Sequence, residues 1–241
     1  GTVKSCLKGA MADSVLAPIA IGKIAGRSCA LWDFYPPFHS RLKVVFAWRK
    51  FRYGSMLLDW VQNLCSLTLG PPLSVEEVEH GFISPLRRLM ENEHLSNFQQ
   101  HASTGIRRIE SGLWKPRHCA QHGDLWTGNF LLSGSVAFDR SPFFVIDWAG
   151  AKVRGYPLFD FSRLAMSLRV APGAAQPRLN EIAAKLSCET EDLLYYALSA
   201  LSELGTRLEH FPHNRYLAMC DKVGTYLLDA QSLSAHARKT K

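Results

Sequence analysis

Gln121-His122-Gly123-Asp124-Leu125-Trp126-Thr127-Gly128-Asn129-Phe130-Leu131-Leu132 lies at the middle of a 241-residue chain and decides how that chain is read. One Gly separates the His from the Asp, an Asn follows the Asp at a step of five, and the stretch closes on an apolar run. A second apolar run, residues 143–146, ends in Asp147-Trp148, with Ser133, Gly134 and Ser135 between the two runs. Short apolar runs around turn residues predict a buried strand pair with a loop at its mouth. Phosphoryl transfer from a nucleotide needs a carboxylate that accepts or orients the proton of the acceptor hydroxyl. It also needs hard oxygen ligands that hold Mg2+ against the phosphates. Asp124 suits the first task, and Asn129 and Asp147 suit the second. His122 is expected to brace the loop through hydrogen bonds. Gly123 and Gly128 allow backbone geometries that a Cβ resists. Taken alone, D-x-x-x-x-N is a common spacing, and a loop Asp more often caps a turn. The order of the whole set carries the reading.

Working outward, Gly155-Tyr156-Pro157-Leu158-Phe159-Asp160 opens a helical segment downstream. Together with H-G-D, the later Asn and the I-D-W end of the second run, it resembles the aminoglycoside phosphotransferase and choline kinase-like group. These are small-molecule kinases distantly related to protein kinases. The likeness is dense over residues 120–165 and elsewhere rests on the order of helices. Protein kinases carry H-R-D and D-F-G where this chain has His122-Gly123-Asp124 and Asp147-Trp148-Ala149. The resemblance implies an α+β, protein-kinase-like fold, ATP as phosphoryl donor, Mg2+ as the metal and a small-molecule hydroxyl as acceptor. It further implies that Asp124, with His122 beside it, is the catalytic position and that Asn129 and Asp147 hold the metal. Asp160 is implied to support the catalytic loop by binding its backbone.

Before this block, residues 15–21 and 28–34 predict two strands around a Gly-containing turn at 22–26, and Pro36-Pro37 stops the extended run. By the resemblance, residues 3–11 are the tail of a small-lobe helix and 19–34 that lobe's last two strands. Residues 31–34 are then the hinge, where Leu31, Asp33 and Phe34 meet the adenine. The expected organisation is a truncated, strand-containing N-terminal lobe over residues 1–36 and a mainly helical catalytic lobe over 37–241. No G-x-G-x-x-G is legible, nor a strand Lys with a helix Glu partner, since the first Glu is Glu76. These parts cover the phosphates in a kinase-like enzyme. The expectation is therefore a lobe without its beginning, and poor turnover by the chain alone.

From Pro37 the hydrophobic period becomes helical, first at Leu42, Val45, Phe46 and Arg49, then at Met56, Leu57, Trp60, Val61 and Leu64. Ser74 ahead of Glu76 and Glu77 predicts a capped helix start. Further helices are predicted over 85–109, 159–168, 179–186, 190–208 and 214–233, with a frayed basic end at 234–241.

With 47% hydrophobic and 20% charged residues, the composition excludes a disordered or fibrous chain. No apolar stretch reaches the length of a membrane span, and no signal-peptide pattern opens the sequence. Six Cys without a C-x-x-C pair exclude a zinc ribbon and fit reduced thiols in a cytoplasmic protein. Residues 1–121 hold 15 basic against 9 acidic side chains, whereas residues 122–241 hold 13 against 12. Within the first half, Arg41, Lys43, Arg49, Lys50 and Arg52 form an acid-free run. It reads first as a solvated helix face and second as a hint of an anionic or sugar-like acceptor. No recognition motif accompanies it, so nucleic acid is not an expected partner. Trp48, Tyr53, Trp60 and Trp114 read first as core and second as the lining of a sugar pocket.

Two functions fit this sequence. The first is Mg-ATP-dependent phosphorylation of a small-molecule hydroxyl. The alternative is a catalytically impaired kinase-like binding or regulatory domain, which the missing Lys–Glu pair and the basic helix favour. A metal-dependent hydrolase fits less well, because the additional His or carboxylate ligands of hydrolytic metals are lacking.

Overall fold

The computed structural model describes residues 4–133, 141–208 and 211–239. A single helical turn, α1 (Ala10–Asp13), precedes a hairpin of β1 (Ala20–Ile24) and β2 (Arg27–Leu31). Then follow α2 (Lys43–Leu67), α3 (Val75–Val78), a wider π-helical turn at Glu79–Ile83, and α4 (Ser84–Met90). A 3-10 turn (Glu93–Phe98) leads into α5 (Gln99–Glu110). Short strands follow: β3 (Cys119–Gln121), β4 (Phe130–Leu132), β5 (Phe143–Val145) and β6 (Lys152–Gly155). Four helices complete the chain: α6 (Phe159–Ser167), α7 (Pro172–Leu186), α8 (Asp192–Gly205) and α9 (His213–Lys239). The architecture is α+β, with helices in the majority.

Helix α2 keeps the period read from the sequence and buries Leu57, Trp60, Val61 and Leu64 on one stripe. Helix α8 is apolar nearly all round, and every residue from 193 to 202 is buried, which requires an internal position. Helices α4, α5 and α9 pack around it. Phe82, with no exposed surface, is ringed by Trp114, His118, Tyr156 and Tyr196 at centroid distances of 5.7, 5.1, 5.4 and 5.6 Å. Trp60 and Trp114 are thus core residues.

The strands that carry the site form a small sheet. β4 pairs antiparallel with β5, with Phe130 opposite Val145 and Leu132 opposite Phe143. Segments from before residue 39 extend both edges. Val145 N–H donates to Ser14 O at 2.7 Å and Phe38 N–H to Phe130 O at 2.7 Å. Leu7 and Met11 are buried in the same core. β3 and β6 make a second antiparallel pair, with an irregularity between Cys119 and Gln121.

Several expected boundaries move. The hairpin turn is Ala25-Gly26, with φ of 49° and 78°, the two-residue turn that demands positive φ at both centres. Consequently residues 15–19 and 32–34 fall outside the strands predicted there. Residues 4–11 do not form one helix, because Gly9 at φ 54° separates the 3-10 turn Lys4–Cys6 from α1. The helix predicted over 85–109 is broken at Asn92, whose side chain accepts the His94 N–H. α7 begins seven residues before its predicted start, with Pro172 in its first turn and Pro177 tolerated inside. Helical backbone in α9 continues to Lys239, through most of the segment expected to fray. The loop predicted at 133–135 lies, beyond Ser133, outside the described residues. The capping box of Ser74 and Glu77 forms as the spacing predicts.

Phe82→Ala is expected to lower stability by about 3–5 kcal/mol, through lost burial plus an unfilled cavity, measured as a urea midpoint shift. A pH test addresses His118, which stacks on Phe82 and whose Nδ1 lies 3.0 Å from Gly155 O. Burial holds its pKa below the ordinary 6.5. The unfolded chain therefore takes up this proton first, and stability is lost as pH falls from 6.5 through the depressed folded value. Urea midpoints between pH 7 and pH 5 are expected to fall less steeply in His118→Phe than in the parent.

Candidate active site

The loop after β3 is fixed by its backbone. Asp160, in the first turn of α6 and only 5% exposed, accepts His122 N–H at 2.5 Å and Gly123 N–H at 3.0 Å. Burial pushes the Asp160 carboxyl up from its ordinary value, against the pull of these two amides and of the Arg163 guanidinium. Gly123 has φ +88°, and a Cβ built there would meet Gly150 O at 2.5 Å, so only Gly fits. His122 has no exposed surface and its ring is occupied at both nitrogens. Nε2 lies 2.8 Å from Ile146 O, and Asp124 N–H points at Nδ1 at 3.4 Å. This pattern assigns the proton to Nε2 and leaves Nδ1 as acceptor.

Asn129, nearly buried, donates Nδ2–H to Asp124 O at 2.8 Å. Its amide oxygen is left as a donor to a cation. Ile146 N–H donates to Asn129 O at 3.0 Å, which continues the β4–β5 register by one pair and leaves Asp147 one residue beyond it. Asp147 is exposed and left-handed, with φ 63° and ψ 57°, at the start of the 3-10 turn Trp148–Gly150. That conformation costs about 1 kcal/mol or more in a non-Gly residue. It is held by Ile146, whose N–H and C=O are both bonded, and by Trp148 Nε1–H on Val145 O.

The Asp124 side chain is half exposed, and its Oδ1 accepts Arg163 Nη2–H at 2.5 Å. Its second oxygen has no partner among the described residues. Arg163 stands three residues after Asp160, on the same face of α6. The helix that anchors the loop's backbone therefore also fixes its carboxylate. Sequence reasoning missed Arg163; the i, i+3 spacing from Asp160 was the signal available.

Hydrogen bonds thus join His122, Asp124, Asn129 and Asp160, and Asp147 is next in the chain to Ile146, which His122 and Asn129 hold. Leu31, Asp33 and Phe34 are exposed at the end of the β1–β2 hairpin, and the Leu31 carbonyl already accepts Ile19 N–H at 2.8 Å. No hydrogen bond or ring contact joins them to the catalytic loop among the described residues. The basic run on α2 is partly consumed locally. Arg49 donates to Pro37 O and Phe38 O, and Lys50 to Arg169 O. Of the aromatics considered as a sugar lining, Trp60 and Trp114 are buried in the core, Tyr53 is half-buried and Trp48 is exposed against it on α2; Trp126, two residues after Asp124, was not among them and is partly exposed.

A family model described as "Phosphotransferase enzyme family" matches residues 54–196, more than half of the chain and the whole of this constellation. The chain belongs to that phosphotransferase family. Neither the curated proteins nor the solved structures yield a match. The matched span includes the catalytic loop, Asn129, Asp147 and Asp160. It also supports reading the chain as a kinase-like enzyme. No helix among the described residues is long and apolar enough to cross a membrane, and all six Cys are free thiols.

Gly123→Ala is expected to lose more than about 1 kcal/mol, because the added Cβ meets backbone at a positive φ. Gly150→Ala, where a Cβ meets nothing closer than 3.7 Å, is expected to stay within about 0.5 kcal/mol of the parent. Equal urea midpoints for the two variants would count against this reading of the loop.

Proposed function

We propose that the chain transfers the γ-phosphoryl group of ATP to a hydroxyl of a small molecule, with Asp124 at the reacting oxygen and Asn129 and Asp147 at Mg2+. The observation that carries this is the clasp between Asp124 O, Asn129, Ile146 and His122. It holds the half-exposed Asp124 carboxylate on one loop with the Asn129 amide, and Asp147 is next in the chain to the clasped Ile146. That donor set suits Mg2+, which takes one or two protein oxygens and completes its shell with phosphate and water. When bound, the ion neutralises charge on the phosphate oxygens.

The chain's own groups divide the remaining work. Arg163 holds Oδ1 of Asp124, so the other oxygen is presented to the acceptor hydroxyl. As the acceptor O–P bond forms and the bond to the β-phosphate bridging oxygen breaks, the hydroxyl proton passes to Asp124 and ADP leaves. His122, with both ring nitrogens bonded, braces the loop and takes no proton. Asp160 acts through the two amides it holds. Leu31, Asp33 and Phe34 supply the adenine contact in this reading, and residues 37–241 supply the catalytic lobe.

Asp124→Asn is expected to lower phosphoryl transfer by about 10²–10⁴-fold while its urea midpoint stays near the parent's. Asp147→Asn is expected to raise the Mg2+ concentration needed for half-maximal nucleotide binding, read by calorimetry. Full turnover by Asp124→Asn would overturn the assignment. Absence of any Mg-dependent nucleotide binding by the parent would favour the regulatory alternative.

A further inference from the structure

Alongside Asp124 opens a cleft of about 500 Å3 between the catalytic loop, α6 and α9. Its lining includes Trp126, Arg163, Arg215, Met219 and Lys222, and no acidic side chain. Arg215, Met219 and Lys222 recur at i, i+4 and i+7, one face of α9. Arg163 closes the inner end, with Nη1 against Met219 Sδ at 2.7 Å and Nη2 on Asp124. Neither Arg215 nor Lys222 makes an ion pair among the described residues, and both are exposed. Trp126 is 38% exposed and is steadied from behind by His39, 5.6 Å between ring centroids.

Three cations facing one concave space repel one another, and Asp124 offsets only one of them. An anion entering the cleft relieves that repulsion and forms charge-assisted hydrogen bonds. The exposed Trp126 ring offers a flat apolar surface for a ring or polyol backbone. The concentration of charge is local, because the second half of the sequence holds nearly balanced charges.

We infer that this cleft is the acceptor subsite and that the acceptor carries an anionic group, phosphate or carboxylate, besides the hydroxyl that reacts. The inference rests on the phosphotransferase reading above and deepens it. Arg215 and Lys222 grip the anion, Trp126 covers the carbon skeleton, and the hydroxyl is thereby turned toward the free oxygen of Asp124. A polycationic acceptor is repelled by the same residues.

The test is calorimetric titration of the full chain, without nucleotide, using glucose 6-phosphate, glucuronate, glucose and glucosamine as probes of one ring with different charge. The expected order places at least one anionic sugar about tenfold or more ahead of glucose, with glucosamine weakest. The double variant Arg215→Glu/Lys222→Glu is expected to weaken the anion by roughly tenfold per cation. Arg41→Glu/Lys43→Glu, just before and at the first residue of α2, alters net charge by the same amount at residues that do not line the cleft and is expected to stay within about twofold. The two anionic probes tell phosphate from carboxylate. Three results overturn the inference: neither anion binds at millimolar concentration, glucose binds as tightly, or the α2 variant loses as much as the α9 variant. A parallel titration with Mg-ATP separates the two readings. Nucleotide binding without anion binding removes the cleft assignment alone. Anion binding that depends on Arg215 and Lys222, without nucleotide binding, upholds the cleft and removes the phosphoryl-transfer reading.

Discussion

Asp160 holds two backbone N–H groups of the loop that bears Asp124, and it does so almost cut off from water. A buried carboxylate is costly by several kcal/mol unless its lone pairs are filled. Here two charge-assisted bonds, each worth about 1.5–3 kcal/mol, act together with the positive end of α6, in whose first turn Asp160 stands. The loop cannot leave without exposing that carboxylate to unpaired burial, so its geometry follows from the helix start. The requirement for Gly at 123 follows from the same contact, because the N–H can turn to Asp160 only with the backbone at positive φ against Gly150.

A second clasp ties the loop to the strand pair. His122 and Asn129 take the two backbone groups of Ile146, and Asn129 also holds the Asp124 carbonyl. With both of its neighbour's groups committed, Asp147 is left in the left-handed region, and strain of this kind persists only where the surroundings fix it from several sides. The strand pair is in turn flanked by Val15 and Pro37, so the chain before α2 contributes directly to the platform under the site.

What the sequence made legible was local. Helical period in α2, the capping box at Ser74, the apolar runs of β4 and β5 and the constellation of His122, Asp124, Asn129, Asp147 and Asp160 are matters of residue type at short spacing. The contacts it concealed join distant positions. Arg163 reaches Asp124 across 39 residues, and the cationic cleft needs α6 and α9 side by side. The basic run on α2 was conspicuous because it was contiguous, yet Arg49 and Lys50 are turned onto backbone carbonyls. The less conspicuous Arg215 and Lys222, a helical repeat apart, face the site. In the hairpin, Gly22 and Gly26 were equally acceptable turn residues, and only the pairing of β1 with β2 selects Ala25-Gly26.

Arg163 occupies one of the two oxygens of the carboxylate proposed to take the proton, which looks at first like a poor arrangement. Phosphoryl transfer passes through a loose transition state with little proton movement until late, so placing the hydroxyl matters more than removing its proton early. Arg163 serves placement: it fixes one oxygen of Asp124 and leaves the other at a defined angle. Because Trp126 follows Asp124 by two residues, the surface that would carry the acceptor and the oxygen that would meet it belong to one loop, clasped at Asp160 and Ile146. Displacements near 1 Å in such a pair cost about 10²-fold in rate. Mounting both on one loop and tying that loop at two points removes the relative motion that would cause them.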